Sequence, residues 1–418
     1  MTEKQKLRIA VWHNLPSGGG KRALYHHVKG LVARGHNVEA WTLDTADRSY
    51  LPLEDLVAEH VVPLNSERSN PFGRMVRTAS DYFDAVHRIR SYDDACRRCA
   101  IAIDAGRFDL LFANSSVLYY MPFVMRHVRI PKVLYLQEPS RPLYEANPLL
   151  PWVTGTDENM GVLSFLRPQV LITENLHLRA LRLQAKLEWL NAKASDLILV
   201  NSYYSRESVL RVYGREAKTC YLGVDTGQFR DLNLKRERFI VSLGSFDENK
   251  GVELCLRSVA LLSEPRPPLV WIANSKNESY VKRMAALAGS LGLDFQLKSL
   301  ISDPELVEIL NRASILLYAP RLEPFGFAPL EANACGTPVV GVAEAGLRET
   351  ILDGTTGLLV DREPEAIAAA LQRLLDDPVL AREMGAQAAA HVSDKWSWEC
   401  ATDRLERHLL ETAKSKRN

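Results

Sequence analysis

The chain has 418 residues, of which 46% are hydrophobic and 25% are charged, a balance typical of a folded globular protein and not of a disordered one. Lysine and arginine together number 52, and aspartate and glutamate 51, so the net charge provides no overall field that would attract nucleic acid. The length exceeds that of one ordinary hydrophobic core and predicts two domains of about 200 residues each.

The N-terminal segment, MTEKQKLRIAVW, lacks the apolar core of a signal peptide. No run in the sequence approaches the roughly 20 apolar residues of a transmembrane helix. We therefore expect a cytoplasmic protein and leave a weak peripheral contact with the inner face of the membrane open. The six cysteines are scattered, and the single CxxC pair, Cys96 and Cys99, has no second pair or histidine cluster that would complete a zinc site.

Apolar runs alternate with amphipathic stretches along the whole chain, which predicts two doubly wound α/β units with parallel sheets. The predicted strands of the first half are LRIAVWH, NVEAWTLD, DLLFANS, KVLYLQEP and DLILVNS. Those of the second half are FIVSLGSF, PLVWIAN, FQLKSL, SILLYAP, TPVVGV and GLLVD. A polar stretch after a Gly-Val-Asp turn separates the halves, so we place the units at residues 1–227 and 228–395 and a C-terminal helix at 396–418.

A glycine-rich loop, Ser17 to Gly20, follows the first predicted strand and leads into a helix that ends near Gly35. Glycines allow backbone N–H groups to approach a diphosphate or a sugar closely. The loop matches neither G-x-G-x-x-G nor a P-loop, which argues against dinucleotide binding and NTPase activity. From the residues alone, a turn that binds no ligand remains an alternative.

The region from residue 65 to 107 is rich in arginine and contains aromatic residues. Its members are Arg68, Arg74, Arg77, Arg88, Arg90, Arg97 and Arg98, with Phe72, Tyr82 and Phe83. Peripheral membrane helices combine cations and aromatics in this way. Four aspartates, at positions 81, 84, 93 and 94, dilute the positive charge, which favours an exposed helix of the first domain over a membrane contact.

Gln137 and Glu138 follow the strand predicted from Val133 to Leu136. A glutamine cannot exchange a proton near neutral pH, but its amide can bind a sugar hydroxyl. Glu138 can deprotonate an acceptor alcohol if its side chain points inward. A solvated loop glutamate is an equally good interpretation.

The segment LGSFDENKGVEL places Gly244, Ser245 and Lys250 just after the first strand of the second half. A lysine there can neutralise the negative charge that grows on a departing diphosphate, an effect worth several kcal/mol in a dry site. The alternative for Lys250 is a solvated residue at the start of a helix.

Two glutamates, Glu323 and Glu331, bracket Gly326 in RLEPFGFAPLEANACGTPVV, where a predicted strand gives way to a helix predicted to begin at Pro329. The backbone N–H groups of Phe325, Gly326 and Phe327 are expected to lie at this helix start, which attracts anions. The carboxylate of Glu331 can accept hydrogen bonds from the two hydroxyls of a ribose. Glu323 is expected to hold sugar hydroxyls.

This last segment resembles, nearly end to end, the E-x7-E signature of the retaining nucleotide-sugar glycosyltransferases of family 4, the group 1 transferases. The resemblance implies the α/β GT-B fold, in which two Rossmann-like domains face a cleft and a C-terminal helix packs back on the N-terminal domain. It implies that the second domain holds the nucleotide sugar and the first the acceptor. It is strongest between Lys193 and Trp398.

The resemblance and the residues together give a candidate site. The catalytic candidates are Glu323, Lys250, Gln137 and Glu138. The donor-binding candidates are Gly18, Gly19, Gly244, Ser245, Lys250, Phe325, Gly326, Phe327 and Glu331. The implied reaction moves a sugar from a UDP- or GDP-sugar to a sugar, a lipid-linked or another hydroxyl acceptor in glycan or glycoconjugate biosynthesis. Because no D-x-D pair is present in a strand-end loop, we expect neither a metal ion nor another cofactor.

Two positions depart from the family pattern. Ser245 stands where the pattern G-R-x-x-x-x-K-G has arginine, and Gln137 stands where many relatives have histidine. They keep open the alternative of a non-catalytic nucleotide-sugar-binding protein. A GT-B epimerase or phosphorylase is a further alternative, which the E-x7-E context disfavours, and the sequence does not indicate the oligomeric state.

Overall fold

The computed structural model describes residues 5–64, 77–145 and 168–415. Contacts divide the chain into two compact units. The first unit comprises residues 1–201, 205–220 and 402–418, and the second comprises residues 202–204 and 221–401.

The first unit contains a seven-stranded parallel sheet with the strand order β3-β2-β1-β4-β5-β6-β7. Its strands are β1 Arg8–Asn14, β2 Asn37–Leu43, β3 Ala58–Val62, β4 Leu110–Ser116, β5 Lys132–Tyr135, β6 Leu197–Val200 and β7 Lys218–Thr219. The strand order reverses between β1 and β4, which is the position where doubly wound sheets usually bind ligands.

Helices cover both faces of this sheet, as parallel strands require. They are α1 Gly19–Ala33, α2 Arg77–Ala105, α3 Val124–His127, α4 Arg141–Tyr144, α5 Pro168–Ala194 and α6 Tyr203–Tyr213. Trp12 of β1 and Phe123 pack against the ring of Tyr92 in α2, with centroid distances of 6.5 and 4.9 Å. As predicted, α1 ends just before Gly35, which adopts φ 81°.

The last helix, α14 Trp398–Ser415, contributes its residues from Thr402 onward to the first unit. Gly30 of α1 allows a close approach there, because a Cβ atom at Gly30 would lie 2.3 Å from Thr402 Oγ1. Arg34 pairs with Asp403 and with Glu406, at 2.7 Å in each case. Helix α14 is therefore packed and ion-paired against α1.

The second unit contains a six-stranded parallel sheet with the order β10-β9-β8-β11-β12-β13. Its strands are β8 Glu237–Leu243, β9 Leu269–Ala273, β10 Phe295–Ser299, β11 Ala313–Tyr318, β12 Val339–Val342 and β13 Gly357–Val360. Its helices before α14 are α7 Val252–Ala260, α8 Glu278–Ser290, α9 Asp303–Arg312, α10 Phe327–Ala334, α11 Leu347–Thr350, α12 Pro364–Asp376 and α13 Pro378–Lys395. Here the strand order reverses between β8 and β11.

Helix α2, Arg77–Ala105, lies within the arginine-rich region of residues 65–107. The residues Arg68, Phe72 and Arg74 lie outside the described residues, as do the side chains of Arg77, Tyr82 and Phe83. Further along, Arg97 and Arg98 pair with Asp93 and Asp94, at 3.3 and 3.2 Å, so these arginines lie within a mixed-charge helix surface. Within the described ranges, none of the helices combines the length and the apolar character needed to cross a bilayer.

His13, at the carboxyl end of β1, and Glu59 form a buried polar pair in the first unit, and the exposed Arg48 contacts this pair. His13 Nε2 lies 3.2 Å from Glu59 Oε1, and Glu59 Oε2 accepts a hydrogen bond from Arg48 Nε at 3.0 Å. Burial lowers the pKa of His13 to about 4, although Glu59 acts in the opposite direction. Burial opposes the ionisation of Glu59, but hydrogen bonds from His13 and Arg48 outweigh it and lower the pKa of Glu59 to about 2.

The lowered pKa of His13 predicts a loss of stability in acid. The imidazole of His13 binds a proton only near pH 4 in the folded state, whereas it does so near pH 6.5 in the unfolded state. The stability associated with the neutral imidazole is therefore fully present above pH 6.5 and is lost as the pH falls toward 4. We expect His13 to account for about 2 kcal/mol of the free energy of unfolding lost between pH 7.5 and 5. Equilibrium urea unfolding of the parent and of His13→Gln at both pH values measures this difference.

The matched control for this experiment is His60→Gln, because His60 is 47% exposed on the neighbouring surface, where it pairs with Glu39. It is expected to keep the parent's dependence of stability on pH. A His13→Gln variant that loses as much stability as the parent on acidification contradicts the prediction.

Candidate active site

The candidate site of the second unit lies at the carboxyl ends of β8 and β11, the two neighbouring strands at which the strand order reverses. Ligands of open α/β sheets bind at such a point. The loop after β8 carries Gly244, Ser245 and Lys250, and the loop after β11 carries Glu323 and Gly326. The topology thus brings together two motifs that are far apart in the sequence.

Lys250 and Glu323 form an ion pair across these two loops. Lys250 Nζ donates to Glu323 Oε2 at 2.7 Å, and the two side chains are 25% and 18% exposed. Burial opposes the charge on the lysine, but Tyr318 and Glu323 outweigh it and raise the pKa of Lys250 above its ordinary value. The ammonium group is therefore charged at neutral pH and is partly accessible.

Ser245 has a local hydrogen-bond partner. Its Oγ donates to Asp247 Oδ2 at 2.5 Å, and Asp247 Oδ1 accepts from Asn249 N at 2.9 Å. These bonds shape the short 3₁₀ turn Glu248–Lys250 that presents the lysine. Gly244 lies beside the alkyl chain of Lys250, since a Cβ atom there would be 3.4 Å from Lys250 Cδ.

Helix α10 begins at Phe327, two residues before the predicted start at Pro329. Proline is tolerated in the first turn of a helix because the N–H group that it lacks has no partner within the helix. Gly326 precedes the helix with φ 94°, and a Cβ atom there would lie 2.7 Å from Leu347 Cδ2. No described side chain caps this helix start.

Glu331 lies in α10 and is 1% exposed. Tyr318, at the end of β11, is 6% exposed. Burial raises the pKa of Tyr318, and the carboxylates of Glu323 and Glu331 act in the same direction. The charges of Glu323, Glu331 and Lys250 therefore all act on the hydroxyl group of Tyr318. Tyr318 is not among the residues predicted from the sequence, although it ends the apolar strand β11.

Phe325 and Phe327 differ in their surroundings. Phe325 is buried and packs against Phe327 and Trp396, with centroid distances of 5.3 and 5.7 Å. Phe327 is half-buried and lies 6.3 Å from the ring of Trp398. The phenyl ring of Phe325 therefore belongs to the core and is not available to a ligand. Only the backbone of Phe325 is left for such a contact.

The remaining candidates lie in the first unit. Gly18 precedes α1 with φ 129°, and nothing lies within 4 Å of the position of a Cβ atom. Gly19 is the first residue of α1 and is exposed. Gln137 Oε1 accepts from Asn201 Nδ2 at 2.9 Å. Glu138 is 23% exposed and lies 3.3 Å from Arg141 Nε, so its carboxylate is ion-paired.

Within the ranges that the structure describes, no three histidine, cysteine, aspartate or glutamate side chains converge in a way that would hold a metal ion. All six cysteines are free thiols, and five of them are buried.

The chain is similar in sequence to known proteins. Residues 225–391 match the model of the family described as glycosyl transferases group 1. The chain is 33% identical over 201 residues to a D-inositol 3-phosphate glycosyltransferase of Arthrobacter sp. (strain FB24), a match that covers 44% of this chain and 43% of that protein. It is 24% identical over 423 residues to the D-inositol 3-phosphate glycosyltransferase of Thermomonospora curvata, covering 93% and 89%.

The fold is also similar to that of solved structures. HepE of Anabaena, solved in complex with UDP and glucose, superposes with a TM-score of 0.69 at 17% identity, covering 97% of this chain and all of the other. The predicted fold class, two Rossmann-like α/β domains of the GT-B type, is confirmed. The match with the Arthrobacter relative spans less than half of that protein. The similarity to the glycosyl transferases group 1 family lies in residues 225–391, the part of the chain that contains Lys250, Glu323 and Glu331.

Proposed function

We propose that this protein is a retaining glycosyltransferase that moves a sugar from a nucleotide diphosphate sugar to a hydroxyl acceptor without a bound metal ion. The observation that carries the proposal is the pair of Lys250 and Glu323, 2.7 Å apart, beside the start of α10 at the point where the strand order reverses. A cation and a helix start together favour a diphosphate, and a carboxylate beside them accepts hydrogen bonds from sugar hydroxyls.

In this proposal the acceptor oxygen forms a bond to the anomeric carbon on the face from which the diphosphate departs. The bond between the anomeric carbon and the diphosphate oxygen breaks, and its electron pair stays on that oxygen. The proton of the acceptor hydroxyl passes to the leaving diphosphate. Lys250 stabilises the charge that grows on the phosphate, and Glu323 orients the sugar.

The remaining candidate residues are proposed to bind the donor or the acceptor. The backbone N–H groups around Gly326 face the donor, and Glu331 binds the ribose. Gly18 and Gly19 offer open backbone, while Gln137 and Glu138 are proposed to contact the acceptor or the transferred sugar. Because the carboxylate of Glu138 is paired with Arg141, we assign the deprotonation of the acceptor to the donor phosphate and not to Glu138.

The relatives indicate which substrates to test first. HepE is described with UDP and glucose bound, and two relatives are named for D-inositol 3-phosphate. A thermal-shift screen of UDP- and GDP-sugars selects the donor, because a ligand that binds the folded state raises its melting temperature. Sugars, polyol phosphates and lipid-linked sugars are then offered as acceptors.

We expect transfer to survive EDTA with little change and to give a product with the anomeric configuration of the donor. NMR of the first-formed product, recorded with and without the chelator, tests both parts. Inversion of configuration excludes the proposed mechanism, and a loss of activity that Mg²⁺ or Mn²⁺ restores excludes metal independence.

A non-catalytic nucleotide-sugar-binding protein is the alternative that the serine at position 245 supports, because one cationic phosphate partner of the family pattern is missing. Such a protein would bind a donor in the thermal-shift screen but would neither transfer nor hydrolyse it.

A further inference from the structure

The loop from Ala319 to Glu323, which we term the β11 loop, contains an unusual backbone conformation. Leu322 adopts φ 49°, in the left-handed region that residues other than glycine rarely enter. Ala345, in the loop after β12, adopts φ 44°. Strained residues of this kind persist only where the surrounding structure holds them, and they occur most often at functional sites.

Two charged side chains hold the β11 loop from outside it. Glu344 Oε2 accepts a hydrogen bond from Leu322 N at 3.2 Å. Arg362 donates through one guanidinium nitrogen to the carbonyl oxygens of Ala319 and Pro320, at 3.1 and 3.0 Å. Arg362 and Glu344 also lie 3.6 Å apart, so the two side chains form one connected clamp on the loop backbone.

Two backbone hydrogen bonds complete the support. Arg321 N donates to Asn249 O at 2.7 Å, which ties the β11 loop to the turn that presents Lys250. Gly346 N donates to Glu323 O at 2.9 Å. Each residue from Ala319 to Glu323 is therefore bonded through its backbone to another loop, and the side chains of Lys250 and Glu323 extend from the two loops so joined.

We propose that Glu344 and Arg362 are positioning residues for the transfer reaction. They hold Leu322 in the left-handed conformation and thereby fix Glu323 and the Lys250 ammonium relative to each other. The inference rests on the function proposed above. Both side chains bond to the loop backbone, so their effect is expected in the geometry of the reacting groups and not in the binding of the donor.

The test compares Glu344→Gln with Glu344→Ala. The glutamine keeps an oxygen that accepts from Leu322 N, whereas the alanine removes it. A displacement of about 1 Å at a reacting group costs on the order of 100-fold in rate. We expect Glu344→Ala to lower kcat by about 10- to 100-fold with a change below about threefold in the donor Kd, and Glu344→Gln to stay within about threefold of the parent.

The control is Glu365→Ala, which removes an exposed carboxylate at the start of α12 and is expected to keep the parent's kcat. A second test uses Leu322→Gly, because glycine adopts positive φ without strain. In the Leu322→Gly background, Glu344→Ala should lower kcat by a smaller factor than it does in the parent. Equal kcat values for the alanine and glutamine variants at position 344 overturn the proposal.

Hydrogen exchange of the peptide that covers residues 319–325 separates this inference from the proposed function. Exchange should be faster in Glu344→Ala and in Arg362→Ala than in the parent, and unchanged in Glu344→Gln and in the exposed control Arg373→Ala. If the variants show this pattern of exchange but the parent transfers no sugar, the clamp stands and the proposed function fails. Unchanged exchange in both alanine variants overturns the clamp, whatever the activity.

Discussion

Replacing Lys250 with methionine is expected to lower the rate of sugar transfer by about 100- to 1000-fold, the cost typical of removing one group that stabilises developing negative charge. Methionine keeps much of the unbranched alkyl chain that lies beside Gly244 and removes the ammonium that donates to Glu323. Single-turnover kinetics with saturating donor measure the chemical step directly.

The loss should fall mainly on the rate and not on donor affinity. In the proposed reaction the leaving phosphate gains negative charge as the bond to the sugar breaks, so the lysine interacts most strongly with the transition state. We expect donor Kd to rise by less than about tenfold. Losses of equal size in donor affinity and in kcat/KM, with kcat unchanged, would instead identify Lys250 as a contact of the ground state.

The ion pair requires a second variant for a clear interpretation. Lys250→Met leaves the half-buried carboxylate of Glu323 without its lysine partner, and this charge repels a phosphate. The double variant Lys250→Met with Glu323→Gln removes that repulsion, so a rate loss that remains in it reports the missing cation. Lys298→Met, on β10, where the lysine side chain is 42% exposed, is the control and should transfer at the parent's rate.

The sheet of the second unit was predictable because its central strands are buried on both faces. Such strands appear in the sequence as continuous apolar runs bounded by glycine, proline or polar residues. SILLYAP is an example, and it corresponds to β11, Ala313–Tyr318. All six strands of this sheet were predicted, including β12 from TPVVGV and β13 from GLLVD.

Two strands of the first sheet escaped prediction because they lie at its edges. Strand β3 has the sequence AEHVV, in which Glu59 and His60 interrupt the apolar pattern. The carboxylate of Glu59 is nevertheless buried, and it pairs with His13 and Arg48. These partners are distant in the sequence, so no local pattern shows the contact. Strand β7 has only two residues, Lys218 and Thr219, which is too short for any periodicity.

The candidate site was predictable where a motif is contiguous and not where the contacts are long-range. Glu323 and Lys250 were identified from their own segments, and the structure joins them. Glu344 and Arg362 form hydrogen bonds with the backbone of residues 319–322. Every residue has a backbone carbonyl, and all but proline have an N–H group, so the sequence does not indicate which of them these side chains bind. The partner of Ser245, by contrast, is only two residues away at Asp247.

Replacing Glu331 with glutamine is expected to weaken binding of the nucleoside diphosphate by about 10- to 100-fold, because hydrogen bonds to a charged group contribute about 1.5–3 kcal/mol. Glutamine has nearly the same volume, so the buried site in α10 stays filled and the melting temperature should change little. Titration calorimetry with the nucleoside diphosphate of the preferred donor measures the loss, and Glu305→Gln, an exposed residue of α9, is the control.

The assignment of Glu331 to the ribose makes a sharper prediction than a loss of affinity. The parent should bind the ribonucleoside diphosphate more tightly than its 2′-deoxy and 3′-deoxy analogues, because the carboxylate accepts from the ribose hydroxyls. Glu331→Gln should lose most of this preference for at least one hydroxyl while its affinity for inorganic pyrophosphate stays close to the parent's. A variant that keeps the full preference for ribose, or that loses pyrophosphate binding to the same extent, shows that Glu331 acts on α10 and its helix start and not on the sugar of the nucleotide.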